Sequence, residues 1–159
     1  MEKHKRDCTS LQNYPADYGL YYKEALGKLL ERRDLESALY LRIAMETGIR
    51  SWDIVLLDEA CIIGRNVRMF SSKNGRCYFR MNGKLPQISR HTKRIIAVLI
   101  RKQGGIFTKP YRYYYMKIKR AWPDAEFSLH MLRQIWLRRD VEIAGLEKKT
   151  VKHSRQNFY

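Results

Sequence analysis

The chain has 159 residues, enough for one domain with a proper core, and its 45% hydrophobic content excludes a disordered tail. Its 32 lysines and arginines against 16 acidic residues leave a net charge of +16, spread from end to end. That balance marks a globular domain facing a polyanion: nucleic acid is the first candidate and an anionic membrane surface the second, although no stretch is long and apolar enough to span a bilayer and no signal peptide opens the sequence.

Residues 1–19 read as a flexible N-terminal segment, charged over Met1–Lys5, with turn chemistry in Asn13-Tyr14-Pro15-Ala16-Asp17. A folded region is expected over 20–159. Helical patterning starts near Tyr21, and Tyr22, Ala25, Leu26 and Leu29 mark an apolar stripe. Arg32-Arg33-Asp34 breaks it, and Asp34 can cap the next helix, which carries Ala38, Leu41 and Met45 on one face. That helix ends at Thr47-Gly48, with glycine in the C-cap region. Thr47 to Leu57 then reads as a helix end, a tight turn holding Arg50, and a short new helix. Asp53, three residues on, can orient Arg50, although an exposed Arg–Asp pair by itself contributes less than about 1 kcal/mol.

A small sheet follows. Ala60-Cys61-Ile62-Ile63 is β-like, Gly64-Arg65-Asn66 a turn, and Val67-Arg68-Met69-Phe70 alternates. Asn74-Gly75 is a hairpin dipeptide, and Arg76 to Met81 is the return strand, so Lys73 sits at a hairpin tip. A lysine there commonly does no more than blunt a sheet edge. Ile88, Thr92, Ile95, Ile96 and Leu99 then form one face of a helix that Gln103-Gly104-Gly105 stops. Pro110 opens a basic, aromatic helix through Tyr111–Trp122. Its consecutive tyrosines point all round, so some belong to the core while its cations contact phosphates, with stacking of the aromatics on bases as the alternative. Ser128 to Trp136 is a helix with His130 and Arg133 three residues apart on one face, a good holder for one phosphate or simply a solvated basic face. Val141 to Val151 reads as a separate, weaker helix.

Cys8, Cys61 and Cys77 are odd in number with no C-x-x-C pair, which suggests a reducing interior and no disulfide framework. His4, His91, His130 and His153 lack ligand spacing, so neither a metal nor another cofactor is expected.

The order of these features resembles the tyrosine recombinases, the phage-integrase superfamily, over roughly residues 20 to 159. Thr47-Gly48-Ile49-Arg50 with Asp53 resembles that family's first arginine box, and Ser72-Lys73-Asn74-Gly75-Arg76 its lysine-bearing hairpin. His130-Met131-Leu132-Arg133 resembles the H-x-L-R box, His153-Ser154 the G-H-S segment, and Tyr159 the nucleophile. The chain differs from the pattern at Gln134, where histidine is usual, at Lys152 in place of glycine, and in the short run from His153 to Tyr159.

The resemblance implies an α+β, mainly helical catalytic domain with a three-stranded antiparallel sheet at one edge. It implies DNA cleavage and rejoining through a 3′-phosphotyrosine in recombination or integration. Arg50, Lys73, His130, Arg133, His153 and Tyr159 would be catalytic, and Asp53 orienting. Arg76, Arg90, Lys93, Arg112, Lys117 and Lys119 would bind duplex DNA. Self-association into a dimer or tetramer on DNA is implied, with the protein in the cytoplasm on the nucleoid or in a DNA-holding compartment of an infected cell. A type IB topoisomerase-like or telomere-resolving enzyme shares the same chemistry, and a non-catalytic DNA-binding protein is the third reading. Relatives usually carry an N-terminal clamp domain and a segment beyond the tyrosine, so an excised catalytic domain or a reduced relative is expected. Its DNA binding should be weak and lose on the order of 10³-fold between low and moderate salt.

Overall fold

The computed structural model describes residues 17–156, with side chains through position 146. Helix α2 (Leu35–Thr47) is the hub. Ala38, Leu39, Tyr40, Leu41, Ile43 and Ala44 are all buried, an apolar run broken only by the half-buried Arg42, which suits a helix covered on most sides. Helices α1 (Tyr18–Glu31), α4 (Arg90–Gln103), α5 (Tyr111–Ala121) and α6 (Leu129–Gln156) pack around it, with the four-residue α3 (Ser51–Ile54) just beyond its C-terminus. Among the described residues, no helix is long and apolar enough to cross a membrane.

Local chemistry explains most boundaries. Asp34 caps α2 by accepting from the Ser37 amide at 3.1 Å. Before it, α1 closes through Arg33, whose φ is +57° and whose N–H donates to the Leu30 carbonyl at 3.0 Å. Glycine is usual at such a left-handed position, and a larger residue there costs on the order of 1 kcal/mol. Ser89 caps α4 at the Thr92 amide, and Gly104 ends it at φ +78°. Ile88, Thr92, Ile95, Ile96 and Leu99 are buried as their spacing predicts, while Arg90, Lys93, Arg94, Arg101 and Lys102 face solvent. On α5 the tyrosines divide. Tyr114 is fully buried and stacks on Tyr40 at 5.1 Å, whereas Tyr113 is exposed.

The structure corrects two expectations and shifts a boundary. The sheet has two strands instead of three: β1 (Ile62–Ile63) and β2 (Asn66–Val67) pair antiparallel across the Gly64-Arg65 turn. The 86–88 segment returns beside β2 but makes only one bridge, Asn66 to Gln87, because the neighbouring Pro86 has no N–H for a ladder. The hairpin around Lys73 forms a single bridge, Phe70 to Cys77, and four loop residues separate Ser71 from Arg76. Second, Val141–Val151 is not a separate helix. It continues α6 as one 28-residue helix, since neither proline nor a packed turn interrupts it and Gly145 stands in open space. Met131, Leu132 and Ile135 anchor the first half, and past Asp140 the exposed Val141, Ile143 and Leu146 show the helix leaving the body. Finally, α1 begins at Tyr18, slightly before the expected start of the fold. The expected flexibility of 1–16 lies outside the described residues.

Candidate functional site

The site grows from the turn that ends α2. Gly48 adopts φ +65°, and a Cβ there would stand 2.2 Å from the Trp136 ring, so both conformation and space require glycine. Trp136 donates its indole N–H to the Glu46 carbonyl at 3.0 Å, and the Arg133 guanidinium donates to the Gly48 carbonyl. Two side chains one helical turn apart therefore seat α6 on the last turn of α2. That seat aims Arg133 at the junction that carries Arg50.

Arg50 precedes α3 in an extended conformation. Its Nη1 donates to the Ser71 hydroxyl at 3.2 Å and reaches the Tyr78 hydroxyl at 3.5 Å. Tyr78 is buried and donates its own proton to Asp53 Oδ2 at 2.5 Å. The phenol thus gives to the carboxylate and receives from the arginine. Asp53 is fully buried and also accepts from the Ser72 amide at 3.3 Å. Asp53 thus makes no direct ion pair with Arg50 among the described residues and connects to it through Tyr78.

Both guanidinium groups lie against the same ring. The Arg50 carbon is 5.8 Å and the Arg133 carbon 5.7 Å from the Tyr78 centroid. Burial, and then the like charge of Arg50, hold the Arg133 guanidinium below its ordinary range, with Tyr78 and Asp53 opposing. Two half-buried guanidinium groups thus stand near one ring, and a guanidinium fork is suited to binding an oxyanion.

Lys73 lies in the exposed loop beyond Ser71, and its amide donates at 3.2 Å to the same Ser71 hydroxyl that Arg50 contacts. The hairpin tip is therefore tied to the arginine pair through one oxygen. A second buried carboxylate fixes the rest of this segment. Asp140, on α6, accepts from Arg80 Nε at 3.0 Å and from the Met81 amide at 2.7 Å. His130 is exposed in the first turn of α6, after the cap that Ser128 makes to the Met131 amide at 3.2 Å.

The remaining candidates are more dispersed. Arg76 is on the hairpin, Arg90 and Lys93 on α4, and Arg112 and Lys119 on α5; all are exposed. Lys117 is half-buried over Tyr113 at 5.4 Å, and Lys119 lies over Tyr115 at 5.6 Å. The side chain of His153, and Tyr159 altogether, lie outside the described residues. The backbone of α6 nevertheless runs unbroken to Gln156, which puts position 153 about 30 Å along the axis from Arg133.

Sequence reasoning missed Tyr78, Ser71 and Asp140. Alternation along Arg76–Met81 puts Tyr78 and Arg80 on one face, a signal that could have singled out the tyrosine. Asp140 sits within a run of arginines and carries no such mark. No protein-family model, curated protein or solved structure matches the chain.

Proposed function

We propose that the protein cleaves and rejoins DNA strands through a covalent 3′-phosphotyrosine, with the fold and chemistry of a tyrosine recombinase catalytic domain. One observation carries this reading: Arg50 and Arg133 arrive from separate elements at one ring, beside the loop that holds Lys73.

On this reading the two guanidinium groups hold the non-bridging oxygens of the scissile phosphate and stabilise the extra charge of the phosphorane. The Tyr159 phenol passes its proton to a neutral histidine imidazole, His130 or His153, and its oxygen attacks phosphorus, forming the phosphotyrosine bond as the bond to the 5′ oxygen breaks. That leaving oxygen takes its proton from Lys73, whose loop tip can enter a groove beside the phosphate. His130 and His153 hydrogen-bond the phosphate. The bond energy stays in the phosphotyrosine, so a 5′ hydroxyl can later attack it and reseal the strand. The length of α6, one helix to Gln156, suits a reading in which His153 and Tyr159 serve the arginine pair of a neighbouring copy on DNA.

The purified chain incubated with a random-sequence library of nicked duplexes should form a protein–DNA adduct that survives detergent and is lost in Tyr159→Phe. Mixing Arg50→Ala with Tyr159→Phe should restore the adduct. The unbroken α6 also favours a second reading, DNA binding without cleavage. Retention of duplex with no adduct from any library member would select it.

A further inference from the structure

A second cluster of cations lies at the opposite end of α2. Arg32 and Arg33 from the α1–α2 turn face Lys117 and Arg120 from α5 across a cleft of about 550 Å³, with Tyr113 on its wall. Asp34 is the one carboxylate lining it, and its Oδ1 is engaged by the Ser37 amide. None of the four cations joins a salt bridge among the described residues. Four positive charges against the single negative charge of Asp34 leave the cleft with a net excess of about three, and a polyanion relieves the remaining repulsion.

The backbone supplies a second, independent observation. Arg33 is the one non-glycine described residue with positive φ. Its turn is a helix-ending geometry in which glycine would be relaxed. Strain retained at such a position points to a use for the side chain. Here the side chain adds a cation to the cleft.

We propose that this cleft is a second site for the phosphate backbone of duplex DNA, separate from the arginine pair. The two lie at opposite ends of the 13-residue α2, about 20 Å apart along its axis, the rise of about six base-pair steps. The guanidinium forks and the Lys117 ammonium hold phosphate oxygens, and the Tyr113 hydroxyl can donate to one. Such contacts carry no base preference, so the cleft adds affinity and orientation without specifying sequence. The inference rests on the DNA reading for its partner and is independent of strand cleavage.

Arg33→Gly separates folding from binding. The variant should melt higher by a few degrees, because the strain is gone. It should nevertheless bind a long duplex of arbitrary sequence severalfold more weakly, with the slope of log affinity against log salt reduced by about one. The double variant Lys117→Gln/Arg120→Gln should reduce that slope by about two. Both measurements are made in the full chain and repeated in Tyr159→Phe, so a failure of cleavage is not read as a failure of the cleft. Unchanged affinity and slope in both variants would overturn the proposal. So would unchanged duplex binding with reduced retention on phosphatidylserine vesicles, which would reassign the cleft to a membrane surface.

Discussion

The helical body and the irregular 58–89 segment are held together by different balances of apolar packing and polar pins. In the body, Leu39, Leu41, Ile43, Leu99, Ile118 and Leu132 are buried with almost no exposure, and apolar area does the work. The 58–89 segment has only two very short strands; it sends Val67, Met69 and Ile88 into the core and is further pinned by carboxylates, Asp53 at Ser72 and Tyr78 and Asp140 at Arg80 and Met81. Apolar packing is tolerant of small shifts, whereas hydrogen bonds to a buried carboxylate set position within tenths of an ångström. The body therefore provides stability, and the polar pins place the arginine pair and the lysine loop.

Variants can break this division of labour. The largest effect belongs to the site: Arg50→Ala should slow adduct formation by about 10²- to 10³-fold while the melting temperature changes little, measured by single-turnover gels beside calorimetry. In the body, Leu132→Ala should cost about 2–5 kcal/mol in urea unfolding, because α6 loses a fully buried anchor on α2. Gly48→Ala crosses the boundary. Its Cβ meets the Trp136 ring in a left-handed backbone, so a loss of about 1–3 kcal/mol should accompany weakened DNA binding as α6 lifts and carries Arg133 away. Tyr78→Phe removes the proton that Asp53 accepts and should cost about 1–3 kcal/mol. If the pins act as argued, adduct formation falls further than stability alone predicts.

The smallest expected effect depends on pH. Glu36 accepts from the Tyr114 hydroxyl at 2.5 Å and the Thr108 hydroxyl at 3.0 Å. Partial burial works against its charged form, yet these hydrogen bonds win and hold the carboxyl below the ordinary 4.5. A carboxyl whose folded value is depressed contributes stability above its unfolded value and loses it as pH falls through the lower, folded one. Glu36→Gln should therefore be less stable than the parent at neutral pH, and the gap should narrow below about pH 4.5 in urea titrations.

The same contrast explains what was legible in the sequence. Helical spacing identified the buried face of α4, Asp34 and Gly48 marked the ends of α2, and Arg50 fell at the junction where its spacing put it. These features follow from local propensity and period. The third strand was misread because alternation in Arg76–Met81 does not reveal that the segment makes one bridge, Phe70 to Cys77, and that its Met81 amide is taken by Asp140. The break before Val141 was misread because a helix leaving the body loses its apolar stripe without losing its hydrogen bonds. Tyr78 lies 25 residues from Asp53 and 28 from Arg50, contacts that periodicity cannot register.

The central claim, that Arg50 and Arg133 share one phosphate, is tested most directly by NMR of the arginine side chains. Their Nε–H signals, assigned with Arg50→Lys and Arg133→Lys, would be followed as duplex DNA is added. Both signals should shift together with one apparent dissociation constant, and replacing either arginine should sharply weaken the response of the other. If one signal shifts while the other stays in place, the two do not form a common site.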